Sequence, residues 1–368
     1  MKIIHTGDIH IGSALKGLPP QKAQIRKAEL FEGFRRLARY AKEQGVSAVL
    51  IAGDLFDKNR LSSSIVKETL LTIASASPVC FFYLTGNHDD IPPLSEIPEN
   101  LYLFPQGKFT RYELGEGVSI GGAYPALPQE TVFEKDKFNL LLAHGDISRE
   151  PDYIDLSRLR NKNIDYLALG HIHQPMPLAE KLDGRGVYRY CGCLEGRGFD
   201  ELGPRGFFLL EIENGKIQSE KYLTFSTREV LERRVDITGC NGYFDVEQRA
   251  LQALENVAEG NIVKLVLCGT YIEGLKKQPA LLSERLSKRF FFVKTEDESR
   301  LALDYKTFEK DVSFRGEFVR EAGRYAMNNE LREEVPWVYG LAARDGESRS
   351  NRSRPSGSQT GRIGGCGK

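Results

Sequence analysis

The stretch Gly86-Asn87-His88-Asp89 stands one residue beyond an apolar run, positions 78–84, that ends in Phe81-Phe82-Tyr83-Leu84. Such a run reads as a buried strand, and the glycine behind it turns the chain sharply. An amide and an imidazole side by side at a strand end make poor core material. They are good material for a cation and an oxyanion. The arrangement recurs four times: Gly7-Asp8-Ile9-His10, Gly53-Asp54-Leu55-Phe56-Asp57, His144-Gly145-Asp146 and Gly170-His171-Ile172-His173 each follow an apolar run. Of the six histidines, five (His10, His88, His144, His171 and His173) lie in these turns. A core histidine has no reason to prefer that place, whereas a metal ligand does.

The runs also fix a fold class. Residues 20–44 carry Ile25, Leu30, Phe31, Phe34, Leu37, Ala38 and Ala41 at helical spacing, and Gly45 ends the helix. A second helix is predicted over 63–75 between strands 46–52 and 78–84. Strand, helix, strand, helix, strand is the order of stacked parallel βαβ units, whose functional side chains lie beyond the carboxyl ends of the strands. Short strands are expected over 101–124, and others over 138–143, 164–169, 186–190, 206–212 and 216–224, with Asn214-Gly215 marking a hairpin. Two sheets packed face to face with helices outside accommodate both halves.

A boundary is expected near Ser226, giving a domain over 1–225 and a smaller α+β cap over 226–313. The cap is read as a helix over 246–258, strands over 262–271 and 290–295, and a helix over 281–289. Residues 314–343 are amphipathic and helical, and the Ser/Gly/Arg-rich tail 344–368 is expected to be disordered.

Composition narrows the partners. With 51 basic and 51 acidic residues the chain has no global field toward nucleic acid or membrane, so a polyanion must be met by a local patch or by bound cations. No apolar run approaches the ~18 residues of a membrane span. The six cysteines include no CxxC pair and read as reduced thiols. The N-terminal segment is unlike a signal peptide, so the cytoplasm is the expected location.

Collected in order, the candidate ligands are Asp8, His10, Asp54, Asn87, His144, His171 and His173, with His88 beside them. Carboxylates mixed with imidazoles suit borderline divalent cations such as Mn²⁺, Fe²⁺ or Zn²⁺. Seven donors are too many for one tetrahedral ion and suit two ions sharing a water. One carboxylate must then bridge, and Asp54, alone in its motif at the middle of the sheet, is the choice. A hydroxide between the ions would be the nucleophile on phosphorus. His88 would bind phosphoryl oxygen or protonate the leaving oxygen, and Asp57 and Asp89 would orient ligand imidazoles.

These five motifs resemble those of the calcineurin-like metallophosphoesterases: D-x-H, G-D-x-x-D, G-N-H-D/E, H-G and G-H-x-H. The resemblance covers about the first 225 residues and implies a four-layer α/β/β/α sandwich with a dinuclear site. It implies one ion on Asp8, His10 and His173, the other on Asn87, His144 and His171, Asp54 bridging and His88 catalytic. A narrower resemblance, to SbcD-type and YhaO-like DNA repair nucleases, rests on Ala52-Gly-Asp-Leu-Phe-Asp57, on Gly170-His-Ile-His-Gln-Pro175 and on the stretch 190–206. It implies a Mn²⁺-dependent 3′–5′ exonuclease with endonuclease activity, with Mg²⁺ a further candidate ion. Its partners would be DNA and an SbcC-like coiled-coil ATPase gripped by the terminal helices, in a dimer. The metal motifs alone leave open a phosphodiesterase or phosphatase acting on another substrate. A scaffold that lost its chemistry would lack ligands, and none is missing.

Overall fold

In this computed structural model, residues 1–13, 15, 17–57, 62–89, 96–115, 117–125, 132–148, 151–302 and 311–328 are described. The chain divides into two compact units that interleave along the sequence. The first takes Met1–Arg233, Asn256–Leu265 and Ala280–Thr295; the second takes Arg234–Glu255, Val266–Pro279 and the described residues from Glu296 onward.

Two six-stranded sheets form the first unit's core. One contains β1 (Lys2–Thr6), β2 (Ala48–Ala52), β3 (Cys80–Leu84), β4 (Leu101–Leu103), β11 (Gly206–Glu213) and β12 (Lys216–Thr224), ordered β12-β11-β1-β2-β3-β4. The other contains β5 (Thr110–Leu114), β6 (Val118–Gly122), β7 (Phe138–His144), β8 (Tyr166–Gly170), β9 (Glu180–Lys181) and β10 (Val187–Tyr190), ordered β5-β6-β7-β8-β10-β9. From β1 to β4 and from β6 through β7 and β8 to β10 the pairing is parallel. The β11–β12 hairpin turns at Asn214-Gly215, both at positive φ, as that dipeptide requires.

The apolar runs are continuous because both faces of these strands are buried. Side chains alternate, so Ala48, Leu50, Phe82 and Leu84 meet Leu140, Leu142, Tyr166 and Ala168 between the sheets. Val49, Ile51, Phe81 and Tyr83 point to the opposite face, where they pack with Phe34, Leu37, Ala38 and Ala41 of α1 (Pro20–Glu43) and Val66 and Ile73 of α2 (Ser63–Ser75). On the far side of the second sheet, Leu141, Ala143, Leu167 and Leu169 are covered by Ile154 and by Leu159 of a 3₁₀ turn, Leu156–Leu159. Each fully buried side chain of this size contributes roughly 1.5–3 kcal/mol relative to exposure.

Helix α1 departs from its apolar pattern at one place. Ile25 is 47% exposed, while Arg26 beside it is fully buried. Arg26 donates to Glu195 and to the main-chain oxygen of Gly196, 2.6 Å away. Gly33 leaves room for that carboxylate: a Cβ there would stand 3.1 Å from Glu195 Oε1.

In the second unit, the helix expected over 246–258 spans Tyr243–Ala253. It starts early because the Asp245 carboxylate accepts the main-chain N–H groups of Asn241 and Gly242. The run read as one strand over 262–271 breaks at Gly269, at φ +81, where a Cβ would stand 1.9 Å from Asp236 Oδ1. A terminal helix runs Phe314–Asn328. The remainder of the helical segment expected over 314–343, and the 344–368 tail, lie outside the described residues. No helix among the described residues is long and apolar enough to cross a membrane.

Candidate metal centre

Every candidate ligand sits at or just beyond the carboxyl end of a strand: Asp8 and His10 after β1, Asp54 after β2, Asn87 after β3, His144 at the end of β7, and His171 and His173 after β8. Parallel pairing within each sheet brings these ends to one edge, and the sandwich brings the two edges together. The join is close. His144 Nδ1 lies 2.9 Å from the main-chain oxygen of Ala52. A Cβ at Gly170 would be 1.7 Å from that same oxygen, and one at Gly53 would be 2.0 Å from His144 Nδ1. Glycine is therefore required at both positions by close approach, and at Gly53, with φ +91, by turn geometry too.

The turns are strained in a way that aims side chains. Asp8 (φ 48), His10 (φ 51), Asp54 (φ 51) and His171 (φ 95) all occupy the left-handed region, at a cost of order 1–3 kcal/mol each. Main-chain hydrogen bonds hold them there, among them Asp8 N–H to Gly53 O and His10 N–H to Asp54 O.

Asp54 lies at the centre of the cluster. Its Oδ2 is 3.6 Å from His10 Nε2 and 3.4 Å from His144 Nε2, and its Oδ1 accepts the His88 main-chain N–H at 2.9 Å. On one side His10 Nε2 faces His173 Nε2 at 3.2 Å, and His173 Nε2 lies 3.9 Å from Asp8 Oδ1. On the other side His144 Nε2 lies 3.0 Å from Asn87 Oδ1, with the His171 ring edge-on, centroids 5.2 Å apart. The His88 ring stands edge-on to His10 at 5.0 Å, with an oxygen of Asp57 close to both.

Titration follows burial and charge. Burial pushes the Asp8 carboxyl up to about 6, against the lowering effect of the neighbouring His144 and His173. Burial would also raise Asp54, but the hydrogen bond and charge of His144, the charge of His10 and the His88 amide hold it well below the usual carboxylate range. His144 is pushed up to about 9, its burial outweighed by Asp54 and Asp8. His10 is held well below its ordinary value by burial and then by the Arg197 charge.

The residues fit divalent cations. Asp8, His10 and His173 offer ligand atoms all within 4.8 Å of one another, and so do Asp8, Asp54 and His144. Two imidazole nitrogens 3.2 Å apart have the spacing of neighbouring ligands on one ion, and His10 Nδ1 is buried with no hydrogen-bond partner among the described residues, which leaves Nε2 as the nitrogen facing the cluster. A cation would also replace the proton on His144.

Asp89 is placed otherwise than the sequence suggested. Its carboxylate accepts the main-chain N–H groups of Phe56 and Gly86, each at 2.8 Å, tying the Asp54 and Asn87 turns together rather than orienting an imidazole. Burial and the Asp54 charge push its carboxyl up to about 7. The carboxylate that does meet a candidate ligand is Glu201, 2.7 Å from His173 Nδ1. Sequence reasoning passed over Glu201 and Arg197. Five charged residues stand in the glycine-rich stretch 190–206 with nothing local to single out these two, and spacing does not reveal a partner 28 residues away.

Residues 1–175 match the family model described as calcineurin-like phosphoesterase. The uncharacterized metallophosphoesterase YhaO of Bacillus subtilis is 26% identical over 314 residues, spanning 76% of this chain and 74% of its own. The DNA double-strand break repair protein Mre11 of Haloferax volcanii is 27% identical over 348 residues, spanning 88% and 74%. The SbcD component of nuclease SbcCD from Staphylococcus epidermidis is 22% identical over 305 residues, spanning 66% and 78%.

Proposed function

The chain carries a calcineurin-like phosphoesterase domain in residues 1–175, and on that premise we propose that it is a dinuclear, Mn²⁺-dependent DNA nuclease. The observation that carries the dinuclear part is Asp54 Oδ2 standing 3.6 Å from His10 and 3.4 Å from His144. In this reading Asp54 bridges two cations, Asp8, His10 and His173 complete one site, and Asn87, His144 and His171 complete the other. The cations would supply Lewis acidity, acidifying water and polarising a phosphoryl oxygen.

The chain's own groups do the rest. Asp8 and Asp54 balance charge in a buried site. The main-chain amide of His88, bonded to Asp54 Oδ1, fixes the loop that carries the His88 ring. That ring, edge-on to His10, donates to a phosphoryl oxygen or to the leaving oxygen, a task an imidazole N–H can perform.

DNA is favoured as substrate by the names of two relatives, a double-strand break repair protein and a nuclease component. The α+β segment over 226–313 serves in this reading as a cap that guides the strand, and the terminal helices as the grip for a coiled-coil ATPase. The test is digestion of end-labelled duplex and single-stranded DNA with Mn²⁺, beside His88→Ala and generic phosphodiester and phosphomonoester substrates. Shortening from 3′ ends by the wild type alone is the expected result. Intact DNA with cleavage of a small ester would reassign the substrate, and an active His88→Ala would remove His88 from the mechanism.

A further inference from the structure

Glu201 is nearly enclosed, its side chain 5% exposed, and both its oxygens are engaged. Oε1 meets His173 Nδ1 at 2.7 Å and accepts from Arg197 Nε at 3.1 Å and Nη2 at 2.8 Å. Oε2 accepts the Arg197 main-chain N–H at 2.6 Å and faces the Cys193 thiol at 3.7 Å. The loop itself is tied to the ligand's backbone: Arg205, 1% exposed, donates to the main-chain oxygens of His173, at 3.0 Å, and Leu202, at 2.7 Å. On its other edge, His173 presents Nε2 to His10 and Asp8.

We propose that Glu201, clamped by Arg197, is a positioning residue that makes His173 an Nε2 ligand and sets the affinity of the cation site to which His173 belongs. The inference rests on the dinuclear reading above. A neutral imidazole carries one proton, and a carboxylate 2.7 Å from Nδ1 claims it there, leaving the Nε2 lone pair for a cation. Arg197 Nη2 also lies 3.0 Å from Nδ1. If the guanidinium donated to Nδ1, the proton would move to Nε2 and block ligation, and Nδ1 would face Glu201 acceptor to acceptor at the shorter distance. Geometry therefore favours the carboxylate. Arg197 neutralises Glu201 and occupies its oxygens, so the carboxylate orients the ligand instead of competing for the ion.

The two sites are unequal as a result. His173 leans on a charged carboxylate, whereas His144 Nδ1 leans on the neutral carbonyl of Ala52. A carboxylate behind an imidazole raises its basicity, and its removal typically costs about 10–100-fold in metal affinity. Loss of Glu201 should weaken one ion and spare the other.

The experiment is Mn²⁺ titration calorimetry on the full chain after chelator treatment, for wild type, Glu201→Gln and Glu201→Asp. The expected result is two Mn²⁺ equivalents in the wild type, one of them weakened by about 10–100-fold in Glu201→Gln and by less in Glu201→Asp. A folded Glu201→Gln protein with both equivalents unchanged would overturn the assignment. Should that variant fail to fold, the ¹⁵N-histidine spectrum of chelator-treated wild type at alkaline pH decides. Protonation of His173 at Nδ1 is expected, and protonation at Nε2 overturns the proposal. A wild type that binds no Mn²⁺ would overturn the dinuclear reading itself, and this inference with it.

Discussion

His144 Nδ1 lies 2.9 Å from the main-chain oxygen of Ala52, so the last residue of β7 in one sheet is pinned to the last residue of β2 in the other. Together with the His171 N–H, which donates to the Asp8 carboxylate at 3.0 Å, that bond ties the two sheet edges at the candidate metal centre. It also fixes which imidazole nitrogen faces Asp54, because Nδ1 donates to the carbonyl and Nε2 is left toward the carboxylate.

The close approach gives a direct test of packing. A Gly170→Ala side chain would meet Ala52 O at 1.7 Å, against backbone that cannot yield without separating the sheets. Destabilisation of about 3 kcal/mol or more is expected in denaturant unfolding, with weakened Mn²⁺ binding. Gly184→Ala, where nothing stands within 4 Å, should be neutral in the same assay.

His88 groups with His10 and Asp57, their donor atoms within 4.8 Å of one another, and in the proposed mechanism it acts on the phosphate and does not hold a cation. His88→Ala is expected to keep both Mn²⁺ equivalents and lose about 10²–10⁴-fold in hydrolysis rate. Loss of Mn²⁺ in that variant would make His88 a ligand instead.

Arg26 and Glu195 form an ion pair with side chains 0% and 1% exposed, joined by Arg36 at 3.1 Å. Removing one partner leaves the other charge buried, so Arg26→Met should cost about 3–5 kcal/mol, and a second change, Glu195→Gln, should return part of it. A double-mutant cycle on unfolding free energies measures the coupling. The Thr227 amide and hydroxyl also bind Glu195, so recovery is expected to be partial.

His5 supplies a pH dependence independent of the cations. Its ring is wholly buried, with Nδ1 2.9 Å from the Tyr166 hydroxyl, and burial followed by the Arg189 charge lowers its pKa to about 3 from an ordinary 6.5. The folded state refuses a proton that the unfolded chain accepts below about 6.5. This contribution is therefore complete above that pH and is lost as pH falls toward about 3, with an upper limit of about 5 kcal/mol. In chelator-treated protein, the stability difference between wild type and His5→Asn should shift with pH across that window. A difference that stays constant from neutral to acid pH would contradict the assignment.

Much of this was legible in the chain. The βαβ order follows from runs buried on both faces, while α2 over Ser63–Ser75 follows from its one-sided apolar spacing and β12 over Lys216–Thr224 from the Asn214-Gly215 turn before it. The clustering of the candidate residues was legible because each lies at or within a few residues of a strand's carboxyl end. Arg26 was not, because helical spacing at Ile25 suggested the opposite face, and only the distant Glu195 makes burial of a guanidinium tolerable. Glu201 was hidden for the same reason, while Asp89, close in sequence to the ligands, proved to bind main-chain amides. Long-range polar partners are set by the folded backbone and leave no periodicity.

In the proposed mechanism this edge holds two cations that together hydrolyse a phosphodiester. The most direct measurement counts Mn²⁺ bound per chain while following hydrolysis of a generic phosphodiester in the same chelator-treated sample. Two equivalents, activity that rises as the second is filled, and loss of both in Asp54→Ala are the expected results. Hydrolysis that ignores Mn²⁺, or an Asp54→Ala protein that binds and cleaves like the wild type, would contradict it.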